Sequence, residues 1–296
     1  MTRRDAVRFL KGHGTENDFL LLPDHDGGQG APSPELVRAM CDRHAGLGAD
    51  GVIRVVRTDA TDDPAAVAAR GEAVWFMDYR NSDGSLSEMC GNGVRVLGRY
   101  LVEHGGADAA QPLPIATRAG VKVLIFNADG EITVDMGRAG VHGSPQIAVA
   151  DLVWDAVHVD LGNPHAVAFV DDLDQVGPLL DAPRSDPEVY PDGVNVEFVV
   201  VRGERHLAMR VHERGSGETR SCGTGACAVA VAAALRDGHA TVGADGSVTP
   251  SDGHGAASYD VELAGGTLRV GWDGGGRVLL TGPAVLVAEG NWLAVR

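Results

Sequence analysis

The chain is poor in lysine, cysteine and aromatic residues, and it contains no long apolar run. Lysine occurs only at Lys11 and Lys122, against 23 arginines. A pyridoxal phosphate enzyme needs a lysine for its Schiff base. Neither lysine stands beside a phosphate-binding loop pattern, so the sequence disfavours that cofactor. With aromatic residues at 5%, we expect a core built mainly from alanine, valine and leucine.

Several partners are disfavoured by the same absences. A membrane span needs about 18 or more consecutive apolar residues, and the sequence has no such run. The first ten residues carry charge but lack the apolar segment of a secretory signal. The formal net charge of −16 argues against nucleic acid and anionic membranes as partners. The sequence therefore predicts a cytoplasmic protein that binds neither.

Four cysteines in 296 residues do not form the dense disulfide framework of a small secreted domain. They are not spaced for a metal either, because Cys222 and Cys227 are five residues apart and no Cys-x-x-Cys or histidine cluster surrounds them. The sequence predicts no metal site. The cysteines are therefore reduced thiols, which either fill the core or act in acid–base or nucleophilic chemistry.

One short pattern occurs twice. Cys90 begins a Cys-Gly-Asn-Gly turn that leads into an apolar run over 94–102, and 132 residues later Cys222 begins a Cys-Gly-Thr-Gly turn before an apolar run over 226–235. Glycine follows each run, which is a helix-stop signal. The repeat predicts two related halves, each with a helix that has a cysteine at its start. The second run is apolar almost all round, which favours full burial.

The rest of the chain reads as many short strands with two or three helices. We predict a polar turn over 11–18, a helix over 34–41 capped by Ser33, a surface insertion over 58–72 and an exposed glycine-rich excursion over 239–258. Helices lie among the strands rather than alternating with them. The predicted fold class is mixed, strand-rich α/β, with two pseudo-symmetric half-domains, each a curved sheet or barrel around a central helix.

The two cysteines suggest a chemistry. A helix N-terminus carries partial positive charge and unpaired N–H groups, so it lowers a thiol pKa and binds an anion such as a carboxylate. If the two helix starts face each other, one carboxylate is held between them with a thiol on each side of the next carbon. One thiolate then removes the α-proton and the other thiol returns a proton to the opposite face. This scheme needs no metal or organic cofactor.

Other interpretations of these thiols stay open. A single cysteine at a helix start is more often a small buried residue than a catalyst, but two matched contexts reverse those odds. Cys41 and Cys227 have no such context, and we interpret both as structural. A non-enzymatic redox sensor, in which Cys90 and Cys222 form a regulatory disulfide, is an alternative of another class.

With these residues in view, the chain resembles the diaminopimelate epimerases, within the family of cofactor-independent two-cysteine racemases. The matching segments occur in the family's order over most of the chain, at 13–19, 43–51, 81–93, 162–165, 193–195 and 213–225. Segments 58–72 and 239–258 lie outside the resemblance. A proline or hydroxyproline racemase and the isomerase of phenazine biosynthesis are rivals from the same superfamily.

The resemblance implies a fold and an activity. It implies an N-terminal half at 1–123 with 282–296, a C-terminal half at 124–281, and an active site at their interface. It implies interconversion of LL- and meso-2,6-diaminopimelate, on the route to lysine and peptidoglycan. The substrate is the expected small-molecule partner, and a homodimer is a weaker expectation.

The resemblance also implies roles for particular residues. Cys90 and Cys222 match the acid–base pair, with Cys222 as the base in the LL to meso direction. Residues matching those that hold the reacting carboxylate are Gly91, Asn92, Gly223 and Thr224. Residues matching those that bind the distal amino acid centre are Asn17, Asn81, Asn163, Asn195, Glu213 and Arg214. His165 and Glu213 match groups close to the cysteines and are expected to take part in catalysis. Many relatives carry glutamine where this chain has Gly51.

Overall fold

The structure is a computed structural model that describes residues 6–251 and 258–293. The chain divides into two compact units, residues 1–134 with 283–296 and residues 135–282. The border predicted between 123 and 124 falls inside a strand, Gly120–Phe126, which pairs with neighbours on both sides. The first unit therefore continues through the following hairpin to residue 134.

The first unit contains a sheet whose strand order is β21-β1-β2-β3-β4-β5-β6-β7. The strands are β1 (Ala6–Gly14), β2 (Asn17–Pro23), β3 (Gly51–Arg57), β4 (Trp75–Asn81), β5 (Leu113–Thr117), β6 (Gly120–Phe126), β7 (Ile132–Gly137) and β21 (Val285–Leu293). The β2–β3 and β4–β5 pairs are parallel and the other pairs are antiparallel.

Three helices pack on this sheet. They are α1 (Pro34–Cys41), α2 (Pro64–Ala68) and α3 (Gly91–Glu103). A Cβ at Gly93 of α3 would lie about 3 Å from side chains of Phe19, Ile53 and Met77, so one sheet face closes tightly around α3. The alternate residues of β2 and β3 face the other way and form a second core with α1. These central strands are therefore buried on both faces.

The second unit contains a sheet with the order β8-β10-β11-β13-β14-β18-β19-β20. Its strands are β8 (Gly140–Val141), β9 (Gln146–Val149), β10 (Leu152–Asp160), β11 (Pro164–Phe169), β12 (Arg184–Ser185), β13 (Asn195–Gly203), β14 (His206–Glu213), β15 (Gly217–Thr219), β16 (Ala240–Val242), β17 (Val248–Pro250), β18 (Tyr259–Leu263), β19 (Gly266–Trp272) and β20 (Val278–Gly282). Here the β11–β13 and β14–β18 pairs are parallel. Helix α4 (Gly223–Arg236) packs against this sheet and contacts β10, β11, β13, β14, β18, β19 and β20.

The two units repeat one topology. Read along each sheet, the strand pairs are antiparallel, antiparallel, parallel, antiparallel, parallel, antiparallel and antiparallel. In both, the long central helix follows the fifth strand and precedes the sixth. The predicted fold class, two strand-rich halves each built around one helix, is confirmed.

Helix α4 is buried as predicted from its composition. Its residues from Ala226 to Ala234 are all buried, and their small side chains allow the surrounding strands to approach closely. The helix count was too low, since the described residues contain four α-helices and two 3-10 turns, at 58–60 and 173–176. None of the helices in 6–251 or 258–293 is long and apolar enough to cross a membrane.

Three local predictions need correction. The turn over 11–18 is much shorter, because β1 and β2 continue to a two-residue turn at Thr15 and Glu16, both with positive φ. Segment 58–72 is not simply an insertion on the surface, since α2 packs Ala66 against a core of β3, β4 and β5. Within 239–251 the chain forms the β16–β17 hairpin with Ala240 and Val248 buried, and 252–257 lie outside the described residues.

Candidate active site

Each cysteine is the N-cap of its unit's central helix. Cys90 precedes α3 and Cys222 precedes α4, both with extended backbone, and their carbonyl groups accept the first helical bonds from Val94 (2.9 Å) and Ala226 (3.0 Å). The N–H groups of each first turn have no acceptor within the helix, so they point out of the helix end. Both helix starts can therefore bind an anionic group.

The predicted site residues occupy equivalent positions in the two units. Cys90 and Cys222 are 132 residues apart, and so are Asn81 and Glu213, the last residues of β4 and β14. Strand register extends this match into a row across three strands. In the first unit the row is Phe19, Gly51 and Asn81. In the second unit His165 pairs with Asn195, and the pair that follows Asn195, Val196 with His212, places Glu213 at the end of the same row. The residue two before each row is an asparagine, Asn17 or Asn163.

Cys90 lies beside neutral amides. It is half-buried, and its thiol donates to Oδ1 of Asn17 at 3.5 Å. The same oxygen accepts from Nδ2 of Asn92 at 3.2 Å, and Thr15 Oγ1 lies 3.4 Å from Oδ1 of Asn92. The structure thus brings together Cys90, Asn17 and Asn92, three of the residues that the sequence singled out.

Cys222 lies in a buried, ionisable environment. Its Sγ accepts from the N–H of Gly225 at 3.3 Å and lies 3.5 Å from Oγ1 of Thr224. Burial raises the thiol pKa well above its ordinary value, and the carboxylates of Glu213 and Glu197 raise it further. The expectation that the helix end would lower this pKa was wrong for Cys222, because desolvation and two nearby negative charges outweigh the N–H dipoles.

Glu213 is the carboxyl group that raises the Cys222 pKa most. The thiol of Cys222 and Oγ1 of Thr219 each donate a hydrogen bond to this carboxyl group. Burial raises the pKa of Glu213, and the bonds from Thr219 and Cys222 oppose that shift. A carboxyl group with a raised pKa that contacts a thiol can exchange a proton with it.

His165 reaches Cys222 through other side chains. Its Nδ1 is 2.7 Å from Oε1 of Glu197 and its Nε2 is 3.1 Å from Oδ1 of Asn163, so both ring nitrogens face oxygen acceptors. Nδ2 of Asn163 donates to Oγ1 of Thr224 at 3.4 Å. His165 and Glu197 are completely buried and form the floor of the site beneath Asn163 and Thr224.

The remaining predicted residues make separate contacts. Asn81 donates from Nδ2 to Oγ of Ser85 at 3.0 Å, at the turn after β4. Asn195 donates from Nδ2 to the carbonyl of Pro164 (3.1 Å) and accepts from the backbone N–H of Arg214 (3.0 Å). The guanidinium of Arg214 donates to the carbonyl of Asp192.

The structure explains why glycine rather than glutamine occupies position 51. A Cβ built there would lie 2.6 Å from the Tyr79 ring and 2.6 Å from the carbonyl oxygen of Arg80. Tyr79 thus fills the space beside Gly51, and a glutamine at this position would require both neighbours to move.

The other two cysteines are packed in the core. Cys41 ends α1 against Met40 and Val37, and burial raises its pKa to about 12. Cys227 is completely buried within α4. Both fit the structural role predicted for them. No group of three or more histidine, cysteine or acidic side chains in the described segments is arranged to hold a metal ion.

Sequence reasoning missed several groups that shape the site. The sequence contains a feature that could have indicated Glu197, because this residue is the single charge in the apolar stretch 194–201. It contains one for Arg95 as well, because this cation stands three residues after Asn92 on a helix predicted to be central. It contains none for Asp50, because the contact of Asp50 with Asn17 joins positions 33 residues apart, whereas Thr219 lies six residues after Glu213, on the strand that pairs with β14.

Comparison with known proteins gives one consistent family. The family model described as diaminopimelate epimerase matches residues 9–141 and 157–287. This span includes segments 58–72 and 239–258, which the resemblance had left out. The diaminopimelate epimerase of Streptomyces coelicolor is 54% identical over 288 residues, covering 97% of this chain and 95% of that one. That of Thermobifida fusca is 46% identical over 294 residues, covering 96% and 97%.

A solved structure shows a similar fold. A hydroxyproline epimerase from Agrobacterium vitis superposes with a TM-score of 0.66 at 15% sequence identity, covering 98% of this chain and 93% of that chain. At this identity the likeness concerns the fold alone.

Proposed function

The chain belongs to the diaminopimelate epimerase family, and on this premise we propose that Cys90 and Cys222 interconvert LL- and meso-2,6-diaminopimelate by a two-base mechanism. The enzyme is an isomerase. The observation that carries the mechanism is the pair of matched N-cap cysteines at the starts of α3 and α4. They supply the two thiols and the two sets of helix-end N–H groups that the reaction requires.

In the LL to meso direction, the thiolate of Cys222 takes the α-proton. The Cα–H bond breaks, an S–H bond forms, and the electron pair spreads into the adjacent carboxylate. Helix-end N–H groups of Gly91, Asn92, Gly223 and Thr224 stabilise the charge that develops there. The S–H bond of Cys90 then breaks as a new C–H bond forms on the opposite face. The cycle leaves Cys222 as thiol and Cys90 as thiolate, and the reverse reaction uses them in that state.

Formation of the Cys222 thiolate is the step that Glu213 assists. In the free enzyme the thiol pKa is raised by burial and by neighbouring carboxylates, so the protonated thiol is favoured. Glu213 is hydrogen-bonded to that thiol and can take its proton. The ammonium group of the substrate brings an opposite charge into this acidic pocket, which favours the charged forms of both groups. Substrate binding therefore activates the base.

The substrate's second amino acid centre is assigned to the remaining polar residues. Arg214 can form a bidentate pair with a carboxylate, and amide groups can both donate and accept. The amides assigned to this end are Asn17, Asn81, Asn163 and Asn195. His165 supports the pocket through Asn163 and Glu197 rather than by direct proton transfer.

The biological setting follows from the same proposal. The product and substrate are precursors of lysine and of peptidoglycan, and the enzyme works without an organic cofactor in the cytoplasm, as a homodimer. The cofactor content and the oligomeric state can each be measured on the purified native protein.

The proposal is tested by epimerisation of LL-diaminopimelate and by exchange of its α-hydrogen in deuterated water. Cys90→Ser and Cys222→Ser should each lower epimerisation by several orders of magnitude while the protein stays folded. Cys41→Ala is a matched control, because Cys41 is a buried thiol away from both helix starts, and it should keep near-normal turnover. Near-normal turnover in either serine variant would contradict the two-base mechanism.

The alternatives give different outcomes. A proline-type racemase would act on L-proline and leave diaminopimelate unchanged. A redox sensor would exchange no substrate hydrogen, although Cys90 and Cys222 would respond reversibly to oxidation. Activity on diaminopimelate after removal of metal and pyridoxal phosphate is expected, and a strict need for either would contradict the mechanism.

A further inference from the structure

A row of side-chain amides runs from the guanidinium of Arg95 to the carboxylate of Asp50, and Cys90 lies beside it. Nη2 of Arg95 donates to Oδ1 of Asn92 at 2.6 Å. Nδ2 of Asn92 donates to Oδ1 of Asn17 at 3.2 Å, and Nδ2 of Asn17 donates to Oδ2 of Asp50 at 2.7 Å. All three hydrogen bonds run in the same direction along the row.

The two ends of the row decide that direction. An asparagine amide can be turned by 180°, which exchanges its donor and its acceptor. A guanidinium has only donors and a carboxylate only acceptors. Arg95 therefore requires the oxygen of Asn92, and Asp50 requires the nitrogen of Asn17. Either Arg95 or Asp50 alone fixes the orientation of both amide groups, because Asn92 and Asn17 are hydrogen-bonded to each other.

Both ends are held in place. Arg95 is completely buried in α3 and also donates to the carbonyl groups of Gly91 (3.2 Å) and Pro283 (3.4 Å). Asp50 is paired with Arg43 at 2.6 Å. The charged groups that reach this row from the elements packed around it are Lys11, Asp18, Arg43, Asp50 and Arg95.

We infer that Arg95 and Asp50 are positioning residues for Cys90, because they keep the oxygen of Asn17 turned toward its thiol. The thiol donates to that oxygen at 3.5 Å, and a hydrogen bond to the protonated form stabilises it over the thiolate. Cys90 is thus held as an S–H group ready to donate. This inference rests on the proposed function, in which Cys90 returns the proton in the LL to meso direction.

The equivalent positions in the second unit lack such ends. Residue 132 positions after Arg95 is Cys227, and the residue that precedes Asn195, as Asp50 precedes Gly51, is Val194. Both are apolar and buried. The sulfur of Cys222 accepts an N–H bond from Gly225 instead. The row from Arg95 to Asp50 therefore gives the Cys90 thiol an oriented acceptor that the residues at positions 194 and 227 do not provide for Cys222.

The experiment measures the alkylation rate of Cys90 against pH by peptide mass mapping, in a Cys222→Ser background without substrate. Asp50→Asn and Arg95→Gln each introduce an amide that can either donate or accept. Since either end suffices, we expect each single variant to move the midpoint of the pH profile by less than about 0.3 pH units. The double variant frees both amides to turn, and its midpoint should fall by roughly 0.5–1 pH unit.

Asp18→Asn is the matched control. It removes a negative charge beside the same Arg43 without removing a bond to Asn17. A midpoint shift in Asp18→Asn as large as that of the double variant would assign the effect to charge and overturn the inference. So would a double variant that moves no further than the sum of the two single variants.

Arg95→Gln is a change in a buried site, so a second measurement keeps the inference testable if that variant does not fold. Neutron diffraction of the wild-type protein should show the Asn17 oxygen facing Sγ of Cys90, and a nitrogen there would overturn the inference. Neither measurement uses turnover. Failure of the wild type to epimerise diaminopimelate would overturn the proposed function, whereas unchanged midpoints in an active enzyme would overturn this inference alone.

Discussion

Cys90 and Cys222 occupy equivalent positions in two units of the same topology, but their surroundings differ in kind. Cys90 is half-buried and donates to a neutral amide oxygen of Asn17. Cys222 is buried, accepts an N–H bond, and contacts the carboxyl group of Glu213. A neutral amide cannot take a proton from a thiol, whereas a carboxylate can. The repeated fold thus supplies two thiols, and the neighbouring residues give them different protonation chemistry.

The same contrast extends behind the cysteines. Where the second unit has the buried pair of His165 and Glu197, the equivalent positions of the first unit hold Phe19 and Ile53. Both of these are completely buried and apolar. At these positions the ionisable groups lie in the second unit, which supports the proposed roles of Cys222 as proton acceptor and Cys90 as proton donor.

The largest effect should come from Glu213→Gln. Removing the carboxyl group that can take the Cys222 proton should lower the rate of epimerisation by about 10²–10⁴-fold. Glu218→Gln is the control, because Glu218 lies on the neighbouring strand β15 and pairs with Arg210 instead. The measurement is kcat/KM for LL-diaminopimelate in both variants. Equal losses of kcat/KM in Glu213→Gln and Glu218→Gln would contradict the proposed role of Glu213.

A second effect should appear in stability. His165→Phe leaves Glu197 buried beside an apolar ring, and breaking a buried pair in this way costs about 3–5 kcal/mol. The double variant His165→Phe with Glu197→Ile copies the residues of the first unit and should recover part of that loss. Urea unfolding gives the free energy of unfolding of the single and the double variant. A double variant that is less stable than His165→Phe would show that the unpaired Glu197 carboxyl group is not the cause of the lost stability.

Thiol reactivity should separate the four cysteines. At neutral pH, alkylation of Cys90 should be at least about tenfold faster than that of Cys222, because Cys222 is buried and its raised pKa disfavours the thiolate. Cys41 and Cys227 should stay unmodified in the folded protein. Peptide mapping after a timed reaction gives the order, and faster labelling of Cys222 in the free enzyme would contradict the burial and the raised pKa of its thiol.

The smallest effect should be a shift of the pH profile in Thr219→Val. The Thr219 hydroxyl stabilises the Glu213 carboxylate and so lowers its pKa. Without it, the pKa of Glu213 rises further above its usual range. Because Glu213 acts as an acceptor only when ionised, the acid limb of kcat/KM should move to higher pH, by about 0.5–1 pH unit. A shift to lower pH would contradict this role.

Much of this picture was predictable from residues close together in the chain. The Cys-Gly-x-Gly turns predicted both central helices and their cysteine caps, and the apolar run at 226–235 predicted a buried helix. The direction of the Cys222 pKa shift was not predicted, since burial of the thiol is its main cause and the carboxylates of Glu213 and Glu197 come from two other strands. Nothing near Asp50 in the sequence indicated its bond to Asn17, 33 residues away, whereas Thr219 lies six residues after Glu213, on the strand that pairs with β14. Motifs predicted which side chains matter, and the folded structure showed which groups surround them.

In the two-base mechanism, two different groups exchange protons with the two faces of one α-carbon. The mechanism is tested most directly by turning over LL-diaminopimelate in deuterated water to low conversion, then measuring deuterium at the α-carbon of the recovered substrate and of the product. We expect deuterium in the meso product and little in the remaining LL substrate, because Cys222 and Cys90 act on opposite faces in the proposed mechanism. Equal deuterium in both pools from the start would indicate a single base and contradict it.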